Sequence, residues 1–354
     1  IMEQNDPLYA GRAGDIADRA GNWAVQNSDY LLVVGSRLGI RQVSYATETW
    51  AREAFVTMVY PDALEITKPN IHVELPLRAD LREFCEAVSN KINKPFEPKN
   101  DWITTCKKWM KDYPVVIPER HNNQKEPANV YWLIDQFNKF SHENTPIVTG
   151  NGSAAVVTGS ALFIKKGQRY MYNTGCASMG WGLPASIGAC FANGKKETYC
   201  ITGDGSIQMN LQELQTLVFH KLPIKILLIN NDGYHSMRQT QRNLFKETTA
   251  VGVGPETKDL SFPCMEKIAG AYGIPYLSAT KNEELPVILK QFTEIDGFAM
   301  CEVFVDSVQG FEPKPSAMKL ADGSLVSPPL EDLAPFLDRD ELKKVMIIPL
   351  VGEK

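Results

Sequence analysis

The fold is decided by two stretches, Glu197-Thr-Tyr-Cys-Ile-Thr-Gly-Asp-Gly-Ser206 and Ile224-Lys-Ile-Leu-Leu-Ile-Asn-Asn-Asp-Gly233. Each opens with a short apolar run, which predicts a buried strand, and each ends in a polar cluster. The segment between them, residues 210–220, has apolar residues at helical spacing. A strand–helix–strand unit places both polar clusters at the carboxyl edge of one parallel sheet, where open α/β sheets bind their ligands.

The two polar clusters offer oxygen ligands for a hard cation. Asp204 supplies a carboxylate, Asn231 an amide oxygen, and the glycine turns supply free carbonyls. Mg²⁺ takes few protein ligands of this kind and completes its octahedron with phosphate oxygens and water. The small residues Gly203 and Gly205 allow a diphosphate to approach the backbone closely. The pattern predicts a metal-bound diphosphate; the alternative is that Asp204 and Asn231 only cap loops.

Three stretches resemble the thiamine-diphosphate-dependent, acetolactate synthase-like family. They occur in the family's order and are Ala177-Ser-Met-Gly-Trp-Gly-Leu-Pro-Ala-Ser-Ile-Gly188, Gly203-Asp-Gly-Ser-Ile-Gln-Met-Asn-Leu-Gln-Glu-Leu214 and Leu222-Pro-Ile-Lys-Ile-Leu-Leu-Ile-Asn-Asn-Asp-Gly233. The resemblance extends from about Asn22 to Asp338. It implies an α/β fold of doubly wound, mostly parallel sheets, in which a thiamine-diphosphate-binding domain follows part of a Rossmann-like middle domain.

Together with the pattern of the elements, the resemblance predicts four parts of the chain. They are a partial Rossmann-like middle domain (1–90), a linker (91–128), the diphosphate- and Mg²⁺-binding domain (129–308) and an irregular, proline-rich C-terminal arm (309–354). Strands are predicted at 30–34, 55–60, 147–149, 169–173, 197–202, 224–229 and 299–305. Helices are predicted at 44–54, 79–90, 102–111, 129–140, 180–191, 210–220, 262–272 and 283–292.

The start of the chain suggests that it is part of a longer protein. In the family, sequence similar to residues 20–37 lies inside the middle domain, so we expect a pyrimidine-binding domain before Ile1. The resemblance also implies that this other domain, in a neighbouring subunit of a homodimer or homotetramer, supplies the glutamate that activates the cofactor. We therefore expect the 354-residue chain alone to bind the cofactor weakly and to turn over no 2-keto acid.

The resemblance carries over a set of site residues. It implies that Mg²⁺ is bound by Asp204, Asn231 and the carbonyl of Gly233, and that the adjacent Asp232 points elsewhere. Met179 matches the bulky apolar residue that bends the cofactor, with simple core filling as the alternative, and the Ala177 carbonyl matches the group that orients the cofactor's amine. The remaining cofactor contacts implied are Gly152, Ser153, Ser178, Gly203, Gly205, Ser206, Tyr234 and His235.

Several positions depart from the acetolactate synthase pattern. Ser153-Ala154 replaces Gln-His, and Thr240 replaces a tryptophan of the acceptor pocket. His235 replaces a glycine, and its imidazole either transfers a proton in catalysis or is held by the local backbone. Arg41 matches an arginine near the flavin, but the Asp-Asp that precedes it in the family is missing, so the resemblance leaves FAD binding open.

A nicotinamide site is the weakest of the alternatives. Gly150-Asn-Gly-Ser-Ala-Ala155 follows a predicted strand and opens a helix, as a dinucleotide-binding loop does. That fingerprint needs an acidic residue about twenty positions later, and residues 168–173 contain none. The loop is therefore expected to lie against the thiamine diphosphate, with the helix N-terminus facing the anion.

Composition excludes some classes of function. A net charge of −5 gives no electrostatic footprint for nucleic acid or for an anionic membrane, and no apolar run approaches the roughly 20 residues of a membrane span. The seven cysteines form no C-x-x-C pair, which indicates reduced thiols and a cytoplasmic enzyme.

The resemblance implies decarboxylation of a 2-keto acid such as pyruvate and ligation of the remaining fragment to a second carbonyl. The alternatives are ligation to another acceptor such as a keto-sugar, simple decarboxylation, or a catalytically silent chain.

Overall fold

A computed structural model describes residues 2–93, 97–123, 126–245, 252–254, 258–316, 318–319 and 325–352. The chain forms two compact units. One comprises Ile1–Asp6 with Val116–Phe311, and the other comprises Pro7–Val115 with Glu312–Lys354. Each unit contains a parallel sheet with helices, so the predicted α/β class is confirmed. The predicted domain boundaries stay a prediction.

The smaller unit has a three-stranded parallel sheet in the order β1-β2-β3. Its elements before residue 116 are α1 (Arg19–Gln26), β1 (Tyr30–Val34), α2 (Ile40–Val43), β2 (Phe55–Tyr60), α3 (Ala63–Ile66), β3 (Leu75–Arg78), α4 (Leu81–Lys91) and α5 (Asn100–Asp112). Val56 and Met58 of β2 pack with Trp50 in the core of this unit. The predicted strands 30–34 and 55–60 are confirmed, whereas β3 was not predicted.

The helix predicted at residues 44–54 was wrong. Ser44 ends α2 with a φ of +63°, in the left-handed region, and the chain then makes a single 3₁₀ turn, Thr47–Thr49. Ala51 is left-handed as well, with a φ of +45°. Two left-handed residues within eight positions cannot belong to one right-handed helix, although Trp50 and Ala51 are buried as an amphipathic pattern would suggest.

The end of the chain belongs to this smaller unit and carries regular structure. It contains the short antiparallel pair β10 (Met318–Lys319) and β11 (Leu325–Val326) and the helix α15 (Arg339–Val345). The indole of Trp23 donates to the backbone carbonyl of Glu331 at 3.0 Å. Leu342 of α15 packs with Trp23 and with Trp109 of α5. The expectation of an irregular surface course was therefore wrong for these segments, and α5, in the predicted linker, contributes to the same core.

The larger unit has a six-stranded, all-parallel sheet in the order β5-β4-β6-β7-β9-β8. Its elements are α6 (Pro118–His121), α7 (Val130–Phe140), β4 (Pro146–Thr149), α8 (Ser153–Ala161), β5 (Arg169–Met171), α9 (Gly182–Ala192), β6 (Thr198–Gly203), α10 (Asp204–Ile207), α11 (Glu213–Phe219), β7 (Ile224–Asn230), α12 (His235–Phe245), α13 (Met265–Ala271), β8 (Tyr276–Ala279), α14 (Leu285–Glu294) and β9 (Ala299–Phe304). Strand β8 and helices α6, α10 and α12 were not predicted. The strands and helices that were predicted in this unit are present, and their ends differ from the predicted ends by at most three residues.

The strand order creates a crevice at the carboxyl edge of this sheet. After β4 the chain crosses to β5 on one side, and after β6 it crosses to β7 on the other side. The loops that follow β4 and β6 therefore turn in opposite directions and leave a gap between them. Such a switch point is where open α/β sheets bind ligands, and the Gly150–Gly152 loop and the Asp204 turn lie there.

Two further properties concern the whole described chain. All seven cysteines are free thiols, of which Cys106, Cys190, Cys200 and Cys301 are buried. Among the helices that the structure describes, none combines the length and the apolar character that a membrane crossing requires.

A buried ion pair leads to the first prediction, for the smaller unit. Glu331 is 1% exposed and accepts from Gln26 at 2.6 Å, and it pairs with Arg52 at 2.8 Å. We expect Glu331→Ala to lower the free energy of unfolding by about 3–5 kcal/mol, because the Arg52 guanidinium, only 14% exposed, loses its counter-charge and Gln26 loses an acceptor. Urea denaturation followed by tryptophan fluorescence measures this, with the exposed Glu86→Ala as the matched control. Equal losses in both variants would contradict the role of the ion pair.

Candidate functional site

A cavity of about 240 Å³ opens at the carboxyl ends of β4, β6 and β7. Most of the residues predicted to contact the cofactor line it. They are Gly152, Ser153, Met179, Gly203, Asp204, Gly205, Ser206, Asn231, Gly233, Tyr234 and His235. The predicted residues Ala177 and Ser178 are exposed and are not part of the lining. The structure thus brings together residues from four separate segments of the sequence.

Asp204 is the buried carboxylate of this cavity. It is 2% exposed, and its two oxygens accept the backbone N–H groups of Gly205 at 2.8 Å and Gly233 at 3.0 Å. Burial raises the pKa of Asp204 to about 6, although these two hydrogen bonds and the nearby Arg238 lower it. A carboxylate held in this way ties the turn after β6 to the turn after β7, and its desolvation favours binding of a cation.

Asn231 presents an oxygen that has no partner among the described residues. Its amide nitrogen donates to the Ser153 hydroxyl at 3.0 Å, while its Oδ1 is buried and accepts no hydrogen bond. A buried acceptor left without a partner costs free energy. Binding of a cation or a water molecule at Oδ1 would remove that cost.

The turn from Asn231 to Gly233 depends on unusual backbone angles. Asp232 has a φ of +56° and is exposed, so its side chain lies away from the cavity that Asn231 and Gly233 line. Gly233 has a φ of +124°, and a Cβ at this position would lie 2.7 Å from the carbonyl oxygen of Val253. Only glycine fits there. The expectation that Asp232 points away from the site agrees with this geometry.

Sequence reasoning missed Arg238, which is completely buried in helix α12. Its guanidinium donates to five backbone carbonyls, those of Asn231 (2.7 Å), Val253 (2.9 Å), Gly254 (3.0 Å), Asp232 (3.1 Å) and Ser307 (3.2 Å). Burial lowers the pKa of Arg238, and the Asp204 carboxylate opposes that shift. The residue therefore fixes the turn that carries Asn231 and Gly233. Its position one turn after the Asn-Asn-Asp-Gly motif was the available signal.

The aromatic ring of Tyr234 closes one side of the cavity. A Cβ at Gly205 would lie 2.4 Å from Cε1 of that ring, so the close packing requires glycine. The Tyr234 ring also meets Phe262 edge to face, with centroids 6.0 Å apart. The Ser206 hydroxyl, on the other side of Gly205, accepts the backbone N–H of Gly180 at 3.0 Å. That hydrogen bond holds the segment that carries Met179.

The N-terminus of α8 points its first peptide groups at the cavity. Gly152 precedes the helix with a φ of +58°, and no side chain caps the helix. Free N–H groups at a helix N-terminus attract anions such as phosphate.

In the same loop Asn151 donates from its amide to the Ala177 carbonyl at 3.2 Å. Ala177 is left-handed, with a φ of +49°, so this hydrogen bond helps to hold a strained residue.

His235 does not present a free ring nitrogen. It is 5% exposed, with Nδ1 at 3.0 Å from the Ser307 carbonyl and Nε2 at 2.7 Å from the Gln309 carbonyl. Burial, reinforced by Arg238, lowers the pKa of His235 to about 4. This arrangement matches the alternative in which the local backbone holds the imidazole, and it gives the expected proton transfer no geometric support.

Two other positions singled out in the sequence lie outside the cavity lining. Thr240 is exposed on α12, and its hydroxyl donates to the Ser236 carbonyl at 3.0 Å. It lies one turn beyond Ser236 and Met237, which do line the cavity. Arg41, in the smaller unit, forms an ion pair at 2.9 Å with the buried Asp15.

The residues present fit a hard cation with a diphosphate. Among the described residues, no three His, Cys, Asp or Glu side chains are grouped so that they could hold a metal ion. The donors at the cavity are instead one carboxylate (Asp204), one amide oxygen without a partner (Asn231) and backbone carbonyls. Mg²⁺ accepts such a sparse oxygen set when phosphate oxygens complete its coordination, and the α8 N-terminus supplies a place for the phosphates.

The five carbonyl contacts of Arg238 lead to the second prediction. We expect Arg238→Lys to lower the free energy of unfolding by about 2–4 kcal/mol, because one ammonium group cannot reach all five carbonyls and buried acceptors lose their donors. Chemical denaturation measures the loss. The exposed Arg169→Lys is the control and should change stability by less than about 0.5 kcal/mol. The role of Arg238 would be refuted if the two variants were equally stable.

Comparison with known proteins agrees with this geometry. Residues 150–303 match the family model of the thiamine pyrophosphate enzyme C-terminal TPP binding domain, and residues 1–88 match that of the central domain. The chain is 29% identical over 317 residues to the acetolactate synthase large subunit of Cyanidium caldarium, covering 88% of this chain and 52% of the relative. For the Escherichia coli isozyme 2 large subunit the identity is 27% over 312 residues (88% and 54%). For the Lactococcus lactis large subunit it is 30% over 306 residues (86% and 51%).

The chain spans about half the length of the curated relatives it matches. The central-domain model matches the first part of the chain, which lies mainly in the smaller unit, and the C-terminal model matches a later part, which lies in the larger unit. The C-terminal model also covers the cavity residues from Gly152 to His235. The predicted resemblance is thereby confirmed. The chain belongs to the thiamine pyrophosphate enzyme family and carries its central domain and its C-terminal TPP binding domain.

Proposed function

We propose that the protein containing this chain uses Mg²⁺ and thiamine diphosphate to decarboxylate a 2-keto acid such as pyruvate and to join the remaining fragment to a second carbonyl. The observation that carries the proposal is the buried Oδ1 of Asn231, which has no partner among the described residues and faces the same cavity as Asp204. The similarity to acetolactate synthase large subunits supports the reaction class.

The division of roles follows from the chemistry of the lining residues. Asp204, Asn231 and the carbonyl of Gly233 would hold Mg²⁺. The N–H groups at the start of α8 and the Gly205–Ser206 turn would hold the diphosphate. Arg238 would keep the Asn231–Gly233 turn in place through its backbone contacts. The cation would offset the cost of burying the Asp204 carboxylate.

Thiamine diphosphate, when bound, supplies a carbon nucleophile and takes up the electrons released when a 2-keto acid loses CO₂. The residues of this chain would orient that group and keep water away. Met179 lines the cavity and would support the cofactor from one side. The Ala177 carbonyl, held by Asn151, would accept from the cofactor's amine. His235 would act as a structural residue: its neutral ring has one N–H, which it would donate to the carbonyl of Ser307 or of Gln309 and so fasten that segment to α12.

The second carbonyl substrate is set by the outer part of the site. Ser236 and Met237 line the cavity at the start of α12, and Thr240 continues the same helix face because residues three and four apart are neighbours. A threonine leaves more room there than a tryptophan. An acceptor larger than a second pyruvate, such as a keto-sugar, is therefore the alternative to acetolactate formation.

The remaining parts of the proposal concern partners and location. We include a homo-oligomer, because the resemblance implies that a neighbouring subunit supplies the activating glutamate. Flavin is not part of the proposal, since the resemblance leaves FAD binding open and Arg41 forms its ion pair with Asp15. The free thiols of all seven cysteines favour a reducing compartment such as the cytoplasm.

The metal site leads to the third prediction, which compares Asp204, in the cavity, with the nearby Asp232, outside it. We expect Asp204→Asn to weaken Mg²⁺-dependent binding of thiamine diphosphate by at least about 100-fold, because Asp204 is the only carboxylate among the described residues that line the cavity. Asp232→Asn is the matched control, since asparagine tolerates the left-handed backbone at that position, and it should bind the cofactor normally. Isothermal titration of the 354-residue chain with thiamine diphosphate, with and without Mg²⁺, measures both. If Asp204→Asn bound thiamine diphosphate with unchanged affinity in the presence of Mg²⁺, the proposed metal site would be refuted.

The acceptor side leads to the fourth prediction. We expect Thr240→Trp in the complete protein to shift the product ratio by about tenfold towards small acceptors, a typical penalty for a misfitting group in a pocket. The release of CO₂ from the donor should change little, because Thr240 lies outside the cavity lining. Competition between pyruvate and a keto-sugar acceptor, with product analysis, measures the ratio. Equal effects on both half-reactions would show that Thr240 does not border the acceptor.

A further inference from the structure

The residues at the end of β7 alternate between two cavities. Asn231 and Gly233 line the cavity described above, while Asn230 and Asp232 line a second cavity on the other side of the sheet edge. Successive side chains of a strand point to opposite faces, and the alternation continues into the turn. The groups that hold Asn230 and Asp232 on the side of the second cavity therefore also determine how Asn231 and Gly233 face the cation site.

A hydrogen-bonded chain reaches Asn230 from the neighbouring strands. Glu302, in β9, is 3% exposed. Its Oε1 accepts the amide nitrogen of Asn230 at 2.7 Å, and its Oε2 accepts the hydroxyl of Tyr276, in β8, at 2.5 Å. Both carboxylate oxygens are thus occupied by donors, one from each adjacent strand, and the side chain has little freedom to rotate.

This carboxylate decides the orientation of the Asn230 amide. A carboxylate accepts hydrogen bonds and offers no N–H, so the NH₂ group of Asn230 must face Glu302. The amide oxygen then faces the backbone N–H of Asp232, from which it accepts at 3.0 Å. That bond spans the left-handed turn in which Asp232 has a φ of +56°. With the amide reversed, two N–H groups would face each other and the turn would lose its acceptor.

We propose that Glu302 is a positioning residue for the cation site: it orients Asn230, Asn230 holds the Asp232 turn, and the turn places Asn231 and Gly233 in the cavity. The part of this inference that concerns the cation rests on the proposed function. Glu302 touches neither the cavity of Asn231 nor any group expected to react. Glu302 supports the turn through the Asn230 side chain, while Arg238, on helix α12, supports it through the Asp232 carbonyl.

The decisive comparison is between two conservative variants of Glu302. Glu302→Gln removes the charge but keeps the reach and an acceptor oxygen for Asn230, because its NH₂ group can donate to the Tyr276 hydroxyl, which can accept as well as donate. Glu302→Asp keeps the charge but withdraws the carboxylate by one methylene. Positioning requires Glu302→Gln to behave like the wild type and Glu302→Asp to be impaired. A purely electrostatic effect on the cation would give the reverse order.

The first readout needs no cofactor. Hydrogen exchange of the Asp232 amide, followed by NMR in the 354-residue chain, reports directly on its bond to Asn230. We expect its protection to fall at least about tenfold in Glu302→Asp and in Glu302→Leu, relative to the amide of Leu228 within β7. Glu302→Gln should keep the protection. The control is Met300→Ala, a buried residue two positions earlier on the same face of β9, which should lose stability but keep the Asp232 amide protected.

The second readout is binding of Mn²⁺, a paramagnetic substitute for Mg²⁺, in the presence of thiamine diphosphate. We expect Glu302→Asp to weaken Mn²⁺ binding by about 10–100-fold, as is usual when a group behind a metal ligand is lost. Glu302→Gln and Met300→Ala should stay within about threefold of the wild type. Absence of Mn²⁺ binding in the wild type would overturn the proposed function and the cation part of this inference, while the exchange of Asp232 still decides the positioning part. Equal behaviour of Glu302→Gln and Glu302→Asp, or an Asp232 amide unaffected by Glu302→Leu, would overturn the positioning role.

Discussion

The buried guanidinium of Arg238 binds backbone carbonyls from three separate segments, Asn231–Asp232, Val253–Gly254 and Ser307. Loops at the edge of a parallel sheet have few backbone partners of their own, so a side chain must supply the donors. Arginine suits this task because its planar group holds two terminal nitrogens in a fixed fork, and at Arg238 these two nitrogens make all five contacts. The geometry of the candidate site depends on these contacts. The turn that carries Asn231 and Gly233 has positive φ angles at Asp232 and Gly233, and such a backbone needs support from its surroundings.

Charge explains why the same region is poised to bind a ligand. Burial raises the pKa of the Asp204 carboxylate and lowers that of Arg238, and each group partly offsets the cost of burying the other. The two are not joined by an ion pair in the described part of the chain, because the guanidinium is directed at carbonyls and the carboxylate at backbone N–H groups. Together with the buried Asn231 oxygen, the cavity therefore keeps acceptor capacity that a divalent cation can use.

Much of the larger unit could be predicted from the sequence, because strong local patterns and the tertiary structure agree there. The apolar runs before Asp204 and Asn230 are strands, and Gly205 and Gly233 are needed for close packing. Arg238 could not be recognised in this way, because an arginine in a polar helix usually lies on the surface. The smaller unit was harder: Ser44 and Ala51 interrupt an apparently helical pattern, and Trp23 finds its partner in Glu331, 308 residues later.

The most direct test of the account is a crystal structure of the chain with Mn²⁺ and thiamine diphosphate, recorded at a wavelength where manganese scatters anomalously. We expect one manganese peak in the cavity, within coordination distance of a carboxylate oxygen of Asp204, Oδ1 of Asn231 and the carbonyl oxygen of Gly233. The diphosphate should lie against the N-terminus of α8. A cofactor bound without manganese at these three oxygens, or manganese bound by Asp232 instead, would contradict it.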